Sequence, residues 1–432
     1  MKKICLLPVT ILLVIFLTAC IEYDGRTSMD DGPSGETLEF YGLELTTEPV
    51  ELLIWLDNED WAMAIMQAFV QMYPNVTFQF QQMGNVDSRS HMQLDGPAGL
   101  GADVFAFPHD HVAFAIADGL IEPVPPLLQE KWEQELNSSA VATVSRDGRM
   151  HAVPFQSENI ALFYNRDIWG DTAPETWEEI FEFARTYNNP ETNDWTLVWP
   201  IQEPYYNYIF LTLAGFEVFG PNMDDYRQPN FDTPEVARGI EIFLSMKELF
   251  GLPYEDINFN TGEERFRLGE IPLAISGPWA LNDIKVNEIN FGITRLPTLN
   301  GVDTYSFSGN MIAGVSSFST PENMPWAYAF LDFMVSEEGA TILYQHMNHM
   351  TTRKVIDNIP GLRDDPYLVG ISKQTPFTNP MPTIPQVTQL WTSMQELFSF
   401  TWSGELSITE AQARAMDTYK TLLSMSGIDI DF

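Results

Sequence analysis

The sequence predicts an α/β protein of two lobes, and three observations lead there. The chain has 432 residues, beyond the size at which one core stops growing, so about two α/β lobes of roughly 150–200 residues each are expected. Hydrophobic residues make up 45% and aromatics 13% of it, enough to fill two cores. Strand and helix patterns alternate. Val50–Leu56 (VELLIWL) is a buried-strand run, and Trp61–Tyr73 then places Ala62, Ile65, Met66, Phe69 and Val70 on one helical stripe. Val76–Gln81 and Asp103–Phe107 follow as strands. Strand, helix, strand at this spacing is a βαβ unit on a parallel sheet.

The later elements follow from caps and periodicity. Thr176 with Glu179 three residues on is a capping box opening a helix over 176–185, and a long helix is predicted over Pro234–Phe250. Ile271–Ser276 (IPLAIS) is a buried strand before Gly277-Pro278-Trp279. Helices are expected over Asn323–Val335 and Glu337–Tyr344, and an amphipathic one over Ile408–Ser424, begun by Ser407 or Thr409. His346 and His349 would share a polar helix surface. The pattern holds no solenoid repeat.

The N-terminus reads as an export signal. Lys2 and Lys3 precede an apolar run, Ile4 to Leu17, and Leu17-Thr18-Ala19-Cys20 resembles a lipobox, so residues 1–19 form a lipoprotein signal peptide and Cys20 is the lipidation site. The run is too short to span a bilayer comfortably. Residues 20–47, rich in small and acidic types, read as a flexible tether. Cys5 and Cys20 are the two cysteines, which leaves the folded part no thiol for a disulfide, metal site or nucleophile.

A formal net charge of -38 repels phosphate backbones and anionic headgroups, so nucleic acid and peripheral membrane contact are excluded and a neutral or cationic ligand is favoured. No Gly-rich phosphate loop is present, and no cofactor is expected. His109-Asp110-His111 places imidazole and carboxylate together on a turn, but with no third partner it is not read as a metal site.

Eight segments in order then become recognisable: IWLDNED (54–60), GADVFAFPHDH (101–111), GRMHAVPFQSENIALFYNRD (148–167), TWEEI (176–180), IQEPYY (201–206), ISGPWALNDI (275–284), FGITRLPT (291–298) and MPTIPQVTQLW (381–391). On these the chain resembles the maltose/maltodextrin-binding members of the extracellular solute-binding proteins, family 1, of ABC importers. The resemblance implies a periplasmic-binding-protein-like fold with a hinged interlobe cleft. The N-terminal lobe would take residues 48–156 plus 312–360, and the C-terminal lobe residues 157–311 plus 361–432.

The resemblance also implies a site. Trp279, Trp391 and Tyr205 match aromatic platforms for glucose rings, with Phe107 where a further aromatic stands. Asp110, Glu158 and Glu203 match carboxylates that accept from sugar hydroxyls, and Glu59 matches an acidic residue after the first strand. The chemistry is sound from below: a pyranose has an apolar C–H face and a rim of hydroxyls, so it needs a flat aromatic surface and planar hydrogen-bonding groups. Asp60 and His111 replace a lysine and an arginine of close relatives, which leaves fewer fixed donors at one end of the cleft.

The function so implied is a non-enzymatic, lipid-anchored, monomeric receptor on the outer face of the cytoplasmic membrane. It would carry a maltodextrin-type oligosaccharide to ABC permease subunits. Three alternatives stand beside it: a receptor for cyclodextrin, branched glucan or another glucoside; a glycosidase using Asp110, Glu158 or Glu203; and a surface lectin.

Overall fold

A computed structural model describes residues 37–251, 259–428 and 430, with the side chains of 259–262 left out of the description. The signal peptide, Cys20 and the first part of the tether lie outside the described residues. The tether is shorter than expected. Its last part pairs as a hairpin, Thr37–Phe40 with Leu43–Thr46, because Tyr41 and Gly42 both adopt positive φ (46° and 80°) in the turn, the geometry a two-residue hairpin loop needs. Leu45 is buried, and Trp326 Nε1 donates to Thr46 O at 3.0 Å, so this hairpin belongs to the folded part.

Two sheets organise the rest. The larger runs in the order Met350–Thr351, Val153–Asn159, Ser306–Val315, Val104–Pro108, Val50–Leu56, Val76–Gln82, with Thr378–Pro380 added alongside Ser306–Val315. Val50–Leu56 lies parallel to both Val76–Gln82 and Val104–Pro108, as the βαβ pattern predicts. Ser306–Val315, returning from about 200 residues later, is antiparallel to its neighbours Val104–Pro108 and Val153–Asn159 and makes the sheet mixed. The smaller sheet has the order Leu197–Val198, Leu273–Ser276, Ala161–Asn165, Phe291–Thr294.

Each sheet carries its own core. One draws on residues from Leu45 to Phe155 and from Ile312 to Met347; the other draws on Ile160 to Phe307 and on Ala340 to Leu423. These are the two lobes. The chain passes between the sheets at Ile160, between Thr294 and Ser306, and once more after Thr351.

Local signals explain the helices. Asn58 caps the helix Glu59–Met72 by accepting from Trp61 N at 2.8 Å. Both halves of the Thr176/Glu179 and Ser407/Glu410 capping boxes are formed. The helix from Pro234 ends at Ser245 and continues as a short 3-10 turn to Glu248. His349 departs from expectation: it lies beyond the helix Glu337–Met347, is buried, and its Nδ1 sits 2.5 Å from Met347 O. Among the described residues no helix is long and apolar enough to cross a membrane.

Candidate functional site

Strand ends deliver the acidic residues. Asp57 follows the strand Val50–Leu56, Asp110 sits in the 3-10 turn after Val104–Pro108, and Glu158 lies near the end of Val153–Asn159. All stand where open α/β sheets place their ligands. Glu158 accepts from Gln156 Nε2 at 3.0 Å, and its cross-strand partner Gly309 has no side chain to crowd it. Burial pushes the Glu158 carboxyl up to about 7, aided by the charges of Asp57 and Asp110 against the Gln156 hydrogen bond. Burial likewise raises Asp57 to about 6, although backbone N–H groups at 57 and 58 oppose it. Asp57 also accepts from Asn85 Nδ2 at 2.7 Å.

The other lobe supplies aromatic faces. Trp391, in the helix Val387–Ser403, donates through Nε1 to Asp110 Oδ2 at 3.0 Å. Phe307 meets Trp391 edge-on at 5.5 Å and lies nearly parallel to Tyr205 at 6.2 Å. Tyr205 belongs to the helix Pro204–Thr212; burial, with the charges of Glu158 and Asp110, holds its hydroxyl well above the ordinary phenol range. Trp279 follows the strand Leu273–Ser276 in a turn and donates to Glu263 Oε1 at 3.1 Å.

Three buried polar atoms in this region have no hydrogen-bond partner: Asp110 Oδ1, Tyr205 OH and His111 Nδ1. A ligand or water can complete such groups; others stand elsewhere in the described residues, Trp55 Nε1 and Trp61 Nε1 among them, so it is the meeting of these three at one place that matters. His111 Nε2 stands 4.0 Å from Asp110 Oδ2. His109 is structural: Asn310 N donates to its Nδ1 at 3.0 Å, so Nε2 carries the proton and faces Met381 O at 3.3 Å. Among the described residues no group of three or more His, Cys, Asp or Glu is placed to hold a metal ion.

The structure thus brings together Trp391, Tyr205, Asp110, Glu158 and His111, with Trp279 joined through Tyr206, whose ring is 6.3 Å away edge-on. Glu203 is half-buried at the N-cap of the Tyr205 helix, its carboxyl raised by burial. One expectation is corrected. Phe107 is fully buried and stacked on Phe105 at 5.0 Å, inside the first core rather than on a surface, because its strand is covered on both faces. Glu59 is exposed in the first turn of its helix, where its charge suits the helix dipole, and the charge of Asp57, two residues before it, bears on Glu158. Asp57, Phe307 and Glu263 were not foreseen. Position after a strand end could have flagged Asp57; nothing local marks the other two.

A cavity of about 410 Å³ adjoins the crossing strands and is lined by hydroxyl and amide side chains including Ser157, Asn159, Ser308 and Asn310. Glu158 touches it, but Trp279, Trp391 and Tyr205 do not. The chemistry of the aromatic residues therefore lies outside it, where Trp391 and Asp110 are in direct contact between the lobes.

Residues 64–368 match the family described as bacterial extracellular solute-binding protein, a span well over half of the chain. The chain belongs to the bacterial extracellular solute-binding proteins. Among its relatives, a maltotriose-binding protein of Pyrococcus abyssi is 24% identical over 80% of this chain and 76% of its own length. A galactooligosaccharide-binding protein of Bacillus subtilis is 25% identical over 86% of this chain and 89% of its own. A maltooligosaccharide ABC transporter solute-binding lipoprotein of Streptococcus pneumoniae is 24% identical over 78% of this chain and 79% of its own. The fold is shared with the Thermus thermophilus maltotriose-binding protein at a TM-score of 0.77 and 21% identity, over 86% of this chain and 100% of that one. This solute-binding protein therefore has the two-lobed α/β fold with an interlobe cleft.

Proposed function

We propose that this solute-binding protein is the receptor of an ABC sugar importer and holds a maltodextrin-type oligosaccharide between its lobes. The observation that carries the reading is the pairing of aromatic faces from one lobe with carboxylates from the other. Trp391 and Tyr205 stand against Asp110 and Glu158, and Asp110 Oδ1 and Tyr205 OH lack partners. Stacked rings would bind the C–H faces of glucose units, and the carboxyl oxygens would accept from sugar hydroxyls. Because Trp391 and Asp110 touch, the sugar enters when the lobes part, and a sugar that contacts both lobes favours the closed form.

Maltotriose- and maltooligosaccharide-binding relatives support an α-glucan, while the galactooligosaccharide-binding relative makes the choice of sugar a matter for measurement. The deciding experiment is calorimetry of the purified protein with maltose, maltotriose, maltotetraose, cyclodextrins and galactooligosaccharides. Tightest binding of a linear α-glucan supports the reading, and its absence with strong binding of a β-galactoside refutes it.

The protein acts by binding alone. Glu158, raised to about 7 beside Asp110, has the protonation a glycosidase acid would need, so incubation with maltotetraose followed by product analysis tests the catalytic alternative; shorter sugars in the mixture would establish it. Anchoring is through lipid on Cys20, with permease subunits as partners and the protein monomeric. The lipobox-like run before Cys20 and the lipoprotein relative support the anchor. Mass spectrometry of the mature N-terminus tests it: a diacylglyceryl group on Cys20 is expected, and an unmodified Cys20 would exclude the anchor.

A further inference from the structure

We infer that Glu263 is a positioning residue that clamps the indole of Trp279 in the orientation a sugar ring stacks on; this rests on the reading of Trp279 as a platform. Glu263 lies on the helix Phe259–Arg267, outside every segment that carries the family resemblance. Its Oε1 accepts three hydrogen bonds: from Ser276 Oγ at 2.5 Å, Trp279 Nε1 at 3.1 Å and Tyr206 OH at 3.1 Å. The donors come from the end of a strand, the turn after it and the helix Pro204–Thr212, so one oxygen gathers three elements of the lobe.

The indole is held on its other sides as well. A Cβ on Gly277 would stand 2.3 Å from Trp279 Cη2, so the six-membered ring lies directly against the glycine backbone, a place no other residue would leave open. Tyr206 meets the indole edge-on, with ring planes at 76°. The same Tyr206 ring meets Tyr205 at 5.8 Å and 82°, which extends the arrangement to a second platform. Rotation about χ2 of a tryptophan is otherwise broad, and a ring ordered before the ligand arrives spares the complex the entropy of ordering it.

The task needs an oxygen acceptor at this position. Arg267, whose charge bears on Glu263, is itself paired with Asp283 at 2.8 Å. Burial raises the Glu263 carboxyl, opposed by the bonds from Ser276, Trp279 and Tyr206 and by the Arg267 charge. Protonation would place hydrogen on the other oxygen and leave Oε1 an acceptor, so glutamine should substitute for glutamate while alanine should not.

The test uses the full chain labelled with 5-fluorotryptophan, and Trp279→Phe assigns the 19F line of Trp279. In Glu263→Ala that line should shift and broaden without ligand, and calorimetric affinity for maltotriose should fall about tenfold, equivalent to about 1.4 kcal/mol. Glu263→Gln should restore both. An unchanged line or unchanged affinity in Glu263→Ala overturns the inference, as does a glutamine variant as defective as alanine. If Glu263→Ala fails to fold, Glu263→Asp, one methylene short of Nε1, should show the same displaced line. Unchanged affinity in Trp279→Ala overturns the platform reading and the inference with it; the ligand-free 19F line identifies that case, because the clamp would still be visible.

Discussion

Glu158 makes the stability of this solute-binding protein depend on pH in a calculable way. Its carboxyl titrates near 4.5 in the unfolded chain and near 7 in the folded one, burial being the main cause. Between those values the folded protein keeps the proton that the unfolded chain has released, so stability falls as the pH rises from about 4.5 to about 7. That interval corresponds to about 3 kcal/mol for a fully buried group, and partial exposure of Glu158 brings the expectation to about 2 to 3 kcal/mol. Glu158→Gln removes the titration while its amide oxygen still accepts from Gln156. Urea unfolding of both proteins at pH 5 and pH 8 isolates the effect, because every other carboxylate, the raised Asp57 included, is common to the two. The variant should match the wild type to within about 1 kcal/mol at pH 5 and exceed it by about 2 to 3 kcal/mol at pH 8. Equal stability of the two at both pH values would refute the claim that burial and the neighbouring carboxylates keep Glu158 protonated.

Three further outcomes are expected. Trp391→Ala should weaken maltotriose binding by about 2 kcal/mol or more with the fold retained, as buried aromatic anchors do, and unchanged calorimetric affinity would place the ligand elsewhere. Gly277→Ala puts a methyl against the Trp279 ring and should cost about tenfold in affinity, about 1.4 kcal/mol, with both lobes still folded by circular dichroism. His349, kept neutral by burial with its folded pKa lowered to about 4, should destabilise the protein as pH falls from 6.5 toward 4, since the unfolded chain takes up a proton the folded one refuses. Between pH 7 and pH 4.5 the wild type should lose about 2 to 3 kcal/mol relative to His349→Asn, and parallel denaturation curves for the two would contradict this.

Much of the architecture was legible because it is written in short-range pattern. The strand Val50–Leu56 and the helix after it declare themselves by period and by the Asn58 cap, and the capping boxes at Thr176 and Ser407 need only four neighbouring residues. The hairpin Thr37–Thr46 was read as tether because its stretch is rich in small and acidic residues with little apolar periodicity, and what holds Leu45 is a core assembled from residues far along the chain. His349 was assigned to a surface from helical spacing that stops two residues before it.

For the site, the sequence by itself determined the chemistry on offer: aromatic and acidic side chains placed after strand ends, and a charge balance hostile to anions. Only the tertiary structure decided which of them share a place. Tyr205 turns toward Phe307 and the carboxylates while Tyr206, its neighbour, turns toward Glu263, and Phe107 sinks into the first core. Trp391 meets Asp110 across 281 positions of chain. Such choices depend on how two separately packed cores come together, and a hydrogen bond or ring contact between distant positions leaves no period, cap or spacing in the residues around either partner.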